Sequence, residues 1–168
     1  MRIIIPLIVF LISGVLGHVV VLGGIPGFIM GKAHQTFEAQ GIPANQFVAS
    51  PRQTPQTQRI VRPSPDLAYA ICRFNTIDGP VFINAPKWEG YGSLSIFNAQ
   101  TDNVFVASLG PDSDFSGIEV RRAAANTREG ALALNGRGIA LIRRLAPTQE
   151  AHDLASSLVS DSRCDRLE

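Results

Sequence analysis

The chain has 168 residues, with 15 Lys plus Arg against 14 Asp plus Glu and a formal net charge of +1. So even a balance leaves no broad electrostatic footprint for nucleic acid. Two cysteines, three histidines and no CxxC leave no zinc site of ordinary spacing.

Residues Ile3 to Gly31 contain no Asp, Glu, Lys or Arg; Arg2 precedes the run and Lys32 follows it. The most helix-like part, Ile3 to Leu22, gives about 20 residues at 1.5 Å each, enough for a hydrocarbon core of roughly 30 Å. Pro6 falls in the first turns, where a missing N–H costs least. Gly23-Gly24-Ile25-Pro26-Gly27 is expected to stop or kink the helix and to leave Phe28, Ile29 and Met30 in the membrane interface. Residues 1–31 therefore read as a transmembrane anchor. A cleaved signal peptide would have a shorter apolar core and a small-x-small cleavage site. The charge bias across the span is slight. The orientation chosen, N-terminus inside, rests on the two cysteines of an exported-looking domain; a cytoplasm-facing enzyme is the alternative. Gly14, Gly17 and His18 lie within the span. They fit a helix–helix contact in which the glycines allow close approach. Equally, the histidine reaches the outer headgroups and water.

Residues 32–66 form a Pro/Gln-rich connector. Pro43, Pro51, Pro55, Pro63 and Pro65 alternate with Gln40, Gln46, Gln53, Gln56 and Gln58, a pattern that favours extended backbone. Ala33 to Gln40 adds a short helical turn, and Phe47 and Val48 are the residues expected to dock on the domain. Lys32, Arg52, Arg59 and Arg62 face only Glu38 here, as a solvated tether or as a patch near anionic headgroups.

Residues 67–168, with the apolar leader and tether removed from a chain that leaves about 135 residues past the anchor, suffice for one domain. Short β-like runs with turn residues between them begin at Leu67. Leu67–Phe74 reads as a buried strand. Val81–Asn84 follows the Asp78-Gly79-Pro80 turn. Tyr91–Phe97 alternates Leu94 and Ile96 against Ser93 and Ser95. Asn103–Leu109 opposes Val104 and Val106 to Phe105 and Ala107, and Gly117–Arg122 opposes Ile118 and Val120 to Glu119 and Arg121. Ala131–Leu134 and Ile139–Leu145 flank Asn135-Gly136, a hairpin signal. A helix then starts with Thr148 as N-cap, with Ala151, Leu154, Ala155, Leu158 and Val159 as its apolar stripe. The fold class is all-β, an antiparallel β-sandwich, with an N-terminal transmembrane helix and a C-terminal helix.

Cys72 and Cys164 are far apart in sequence. In an oxidising compartment such a pair can form a disulfide pinning the tail to a central strand; the alternative is one buried thiol and one tail thiol. The β region, residues 67 to 145, has no histidine. A cupin-type metal site or a Ser-His-Asp triad has nothing there to use except His152, expected on the surface of the last helix. Asp112-Ser113-Asp114-Phe115-Ser116-Gly117 resembles the start of a calcium loop, but Ala123 occupies the position that needs a bidentate Glu; a polar turn is the reading. No catalytic residue, metal or cofactor is assigned. Trp88, Glu89, Tyr91, Ser93, Ser95 and Phe97 form the candidate surface. An aromatic loop leading into a strand with outward hydroxyls suits a ligand groove, a partner interface, or a plain cover for the end of the sandwich.

Four stretches carry a resemblance: Asp66–Phe74, Gly79-Pro80-Val81, Tyr91–Phe97 and Asn103-Val104-Phe105. The apolar leader adds Val15-Leu16-Gly17-His18 and Ile25-Pro26, and the tail adds Gly138–Arg143. Together they resemble the short, membrane-anchored members of the domain of unknown function 1254 (DUF 1254) family, with departures at Gly92 and Asn98. The resemblance implies a β-sandwich-like fold, no established activity, and a companion protein of the DUF 1214 type. The expectation is a single-pass bacterial inner-membrane protein with its C-terminal domain in the periplasm. There it acts as a non-catalytic assembly or binding subunit of an envelope complex, whose partners are the membrane and a companion anchored envelope protein. The alternative is a domain that binds or processes a small metabolite or glycan.

Overall fold

A computed structural model of the chain describes residues 3–54, 63–123 and 129–167. The connector residues 55–62, with Arg59 and Arg62, and the leading Arg2 lie outside them. The elements in chain order are α1 (Ile4–Ala39), β1 (Val48–Ala49), β2 (Leu67–Asn75), β3 (Val81–Asn84), β4 (Gly92–Phe97), β5 (Asn103–Ser108), β6 (Ile118–Arg121), β7 (Leu132–Ala133), β8 (Arg137–Leu145), α2 (Gln149–Ser157) and β9 (Arg163–Arg166).

Helix α1 corrects the expected break at Gly23–Gly27. It runs unbroken for 36 residues with Pro26 inside it, about 54 Å at the usual rise. Each glycine costs about 1 kcal/mol of helix propensity and Pro26 removes one backbone bond. Those costs are local, whereas the last turns are held by tertiary contacts. Met30 and His34 are buried, and Glu38 meets Arg73 at 3.8 Å. Over the apolar part nothing is buried, and among the described residues this helix is long and apolar enough to cross a membrane.

The strands form two sheets, one of five strands in the order β1-β2-β8-β4-β5 and one of four in the order β7-β6-β3-β9. Alternation along β2 and β8 is strict: every second residue is buried. Their inward residues Ala70, Cys72, Phe74, Ala140 and Ile142 join Leu94 and Ile96 of β4 in one core. Val81 and Ile83 of β3, Val120 of β6 and Cys164 of β9 enter the same core from the other sheet. The Cys72–Cys164 disulfide therefore ties one sheet to the other (S–S 1.97 Å).

Two strand expectations change. The sheets are not wholly antiparallel, because β7 pairs parallel with β6. Nor do the runs around Asn135-Gly136 form a hairpin: β7 and β8 belong to different sheets. Thr76 explains the crossing. Its buried hydroxyl donates to the Leu134 carbonyl at 2.7 Å and accepts from the Gly136 N–H at 3.0 Å, which satisfies the turn from a neighbouring strand end. Gly136 takes φ 79° there, a conformation glycine adopts without a Cβ penalty.

The connector also docks more fully than expected. Phe47 is buried in the core and Val48 pairs with Ile71. Beyond them the Asn45 N–H donates to the Arg73 carbonyl, the Ser50 N–H donates to Tyr69, and Arg52 donates to the Pro147 carbonyl at 2.6 Å.

Helix α2 starts at its expected cap, Thr148, whose side chain accepts from the Ala151 N–H. Its inward face differs from the expected stripe. His152 and Ala155 are buried and Leu154 is 58% exposed. Arg144, 1% exposed, makes the reason visible. Its guanidinium donates to the Ala155 carbonyl and to the Pro86 carbonyl, each at 3.1 Å. A cation at the C-terminal turn complements the helix dipole, and this contact rotates Ala155 toward the sheet.

Candidate functional site

The residues singled out in the sequence do not converge on one pocket. Trp88 is half-buried. Its indole N–H donates to the Leu145 carbonyl at 3.0 Å, and its ring packs on the small cluster Ala68, Ala146 and Ala155. It closes the α2 end of the domain. Tyr91 is exposed, and its hydroxyl lies 3.2 Å from Ser93 Oγ. Ser93 and Ser95, expected to present hydroxyls to solvent, are buried. Arg143 on β8 extends flat over the strand and donates to Ser95 Oγ at 2.9 Å; such long stems routinely cover sheet surface while keeping the charged head in polar company. Phe97 is half-buried beside Ile139. Within α1, among the described residues none comes within 4 Å of a Cβ placed on Gly14 or Gly17.

Ser95 instead belongs to a larger surface. Following the register across the five-stranded sheet, Val48 pairs with Ile71, Ile71 with Leu141, Leu141 with Ser95, and Ser95 with Val106. These residues lie opposite the core on each strand, so they make one line across the outer face. Next to it Arg73, Ile139 and Phe97 form a second line. On the open edge strand β5, Val106 is 57% and Val104 37% exposed. A sheet face with this many apolar residues and an unpaired edge is a surface suited to a covering partner.

The sequence reading passed over a second place, where α1 meets the domain. His34, Glu38, Arg73 and Arg137 line a cavity of about 170 Å³ between the helix, β2 and the start of β8. Burial, then the charges of Arg137 and Arg73, holds the His34 ring below its ordinary pKa, against the opposing pull of the Gly138 backbone and Glu38. The signal that could have found it is the pairing of β2 with β8, which sets Arg73 near Gly138 and Asn75 opposite Arg137. No sequence spacing carries that information. A third feature is an open groove of about 860 Å³ between β1 and the α2–β9 segment, lined by Phe47, Ser156, Ser160, Ser162 and Asp165 among others.

The Asp112–Gly117 stretch is a turn closed by its own side chains. Ser113 donates to the Ser108 carbonyl at 2.6 Å and accepts from the Phe115 N–H. Among the described residues no three His, Cys, Asp or Glu side chains gather as metal ligands.

Geometry thus defines a small β-rich domain of two sheets, cross-linked by one disulfide and carried on a long apolar helix. By sequence the chain belongs to the family of proteins of unknown function DUF1254, whose profile matches residues 44–151, well over half of its length. No curated protein matches it. Among solved structures it is similar to the VPA0106 protein of Vibrio parahaemolyticus, at 14% identity and a TM-score of 0.56, over 85% of this chain and 36% of that one. That likeness supports the fold, and the chain spans about a third of that longer protein.

Proposed function

We propose that the chain is a single-pass, membrane-anchored subunit of a bacterial envelope complex, with its two sheets forming a β-sandwich in the periplasm. The outer face of the five-stranded sheet binds a companion anchored protein of the DUF 1214 type. The observation that carries this reading is the line Val48–Ile71–Leu141–Ser95–Val106, apolar except for the buried Ser95, which ends on the exposed Val106 of edge strand β5. The buried disulfide supports export, since such bonds persist in oxidising compartments. A similar fold embedded in a much longer chain supports a domain that is covered when its partner is present. Within the bilayer, Gly14, Gly17 and His18 supply the helix contact with the same partner.

Photo-crosslinking from position 106 in native membranes tests the reading. The expected product is one adduct with an envelope protein of DUF 1214 type, lost in Leu141→Glu while the domain stays folded. A chain that is uncrosslinked and monomeric after mild detergent extraction contradicts it.

A second reading rests on the 860 Å³ groove, whose size suits a small metabolite or short glycan. Thermal stabilisation by such compounds, abolished by Ser160→Trp in the groove, would favour it over the first.

A further inference from the structure

Three polar groups at the junction of α1 and the domain lack a partner among the described residues: His34 Nε2, Asn45 Oδ1 and the Arg137 guanidinium, all from residues that line the cavity. His34 is 7% exposed, yet its Nε2 has no hydrogen-bond partner. Among the described residues none accepts a hydrogen bond from the Arg137 guanidinium or pairs with it, although that group lies close enough to depress the His34 pKa. Neighbouring charges are already engaged. Arg73 donates from Nε to the Ile42 carbonyl at 2.8 Å and meets Glu38 at 3.8 Å. Asp78 stands exposed on the far rim.

A free guanidinium and a buried imidazole with one unused nitrogen line a cavity of about 170 Å³ as unused donors, and the unpartnered Asn45 Oδ1 on the same lining suits the hydroxyl of a singly protonated oxyanion. A guanidinium presents paired N–H groups that match the spacing of oxygens on phosphorus. The space is ample for a phosphoryl group. We propose that this cavity is a binding site for a phosphate-type oxyanion, held between Arg137 of β8 and His34 of α1, and that its occupation locks the helix onto the domain.

The charge balance at His34 shows how the lock responds. Arg137 and Arg73 oppose its protonation, while Glu38 on the same helix and the Gly138 backbone favour it. An oxyanion beside Arg137 offsets the two cations, so His34 takes up a proton and donates it in a hydrogen bond from Nε2. Two sources share this chemistry: a phospholipid headgroup and dissolved phosphate. The last exposed apolar residues of α1, Phe28 and Ile29, lie little more than a turn below His34. If α1 is the anchor, as proposed above, the cavity stands at headgroup level. The oxyanion site itself does not depend on that reading.

The test uses the full chain, labelled with ¹⁵N-histidine, in maltoside micelles, which contain no phosphate. Addition of phosphatidylglycerol or of inorganic phosphate is expected to move the His34 ring from neutral to protonated near neutral pH. Arg137→Gln is expected to weaken this response by at least about tenfold, while Arg166→Gln, an exposed cation elsewhere, leaves it unchanged. A response to the lipid alone assigns the headgroup; a response to inorganic phosphate assigns the free anion. Silence towards both, or a response that survives Arg137→Gln, overturns the proposal. Because no partner protein or cellular compartment enters the assay, failure of the envelope-subunit reading would leave this result standing.

Discussion

At the residue scale, individual side chains settle questions that the pattern of hydrophobicity leaves open. Gly138 is one. A Cβ there would lie 2.4 Å from Phe74 Cζ, a ring that is 1% exposed. Gly138→Ala is therefore expected to cost about 1–3 kcal/mol as an overpacked core, read as a lower urea midpoint at unchanged slope. His34 supplies the pH dependence. Its folded pKa lies below the unbound value of 6.5, so the unfolded or undocked state binds more protons in the interval between the two. The docking of α1 is then fully present above pH 6.5 and weakens as pH falls through the lowered value. Hydrogen exchange at residues 30–39, corrected for intrinsic rate, is expected to lose protection only as the pH falls below 6.5. His34→Gln should flatten that trend; an unchanged slope in the variant would contradict the assignment. Nothing in the sequence around His34 distinguishes it from a residue in a solvated tether. Its environment arises from two arginines on different strands.

At the element scale, legibility followed how local the cause is. Strands β2 to β6 and β8 were readable because short β-like runs between turn residues are a local property, although β2, expected to be buried throughout, alternates. Thr148 was readable as a cap because its hydroxyl answers an N–H three residues on, and Thr148→Ala is expected to destabilise the domain by about 1 kcal/mol in chemical denaturation. The misread elements all depend on something distant. Asn135-Gly136 has hairpin residues, but Thr76 captures its hydrogen bonds and sends the two flanking runs to different sheets. The face of α2 is set by Arg144 reaching the Ala155 carbonyl, so the buried histidine and the exposed Leu154 reverse what the stripe implied. Helix α1 carries three glycines and a proline within Gly23–Gly27, yet it persists, with its final turns resting on the domain. For the candidate surface, Ser93 and Ser95 were expected to face outward, but β4 is buried from Gly92 to Ile96. Their burial came from Arg143, whose reach across a neighbouring strand has no signature in β4 itself.

At the scale of the whole molecule, the disulfide connects everything. The core draws on both sheets, and the Cys72–Cys164 bond closes a loop with a sequence separation of 92. The chain-entropy relation gives such a loop about 4 to 5 kcal/mol. That is a large share of the 5–15 kcal/mol typical of a domain. Cys72→Ser with Cys164→Ser is therefore expected to lower the unfolding free energy by that order. A double variant as stable as the parent would show that the sheets hold each other without the bond. Disulfides of this kind persist in oxidising compartments, and the apolar part of α1 is long enough to cross a membrane.

The most direct measurement is the intact mass of the chain extracted from native membranes under thiol-trapping, non-reducing conditions. The account predicts a species that retains the apolar segment of α1 and carries no trapping label on either cysteine. A species beginning beyond the apolar segment, or one carrying label on both Cys72 and Cys164, would contradict it.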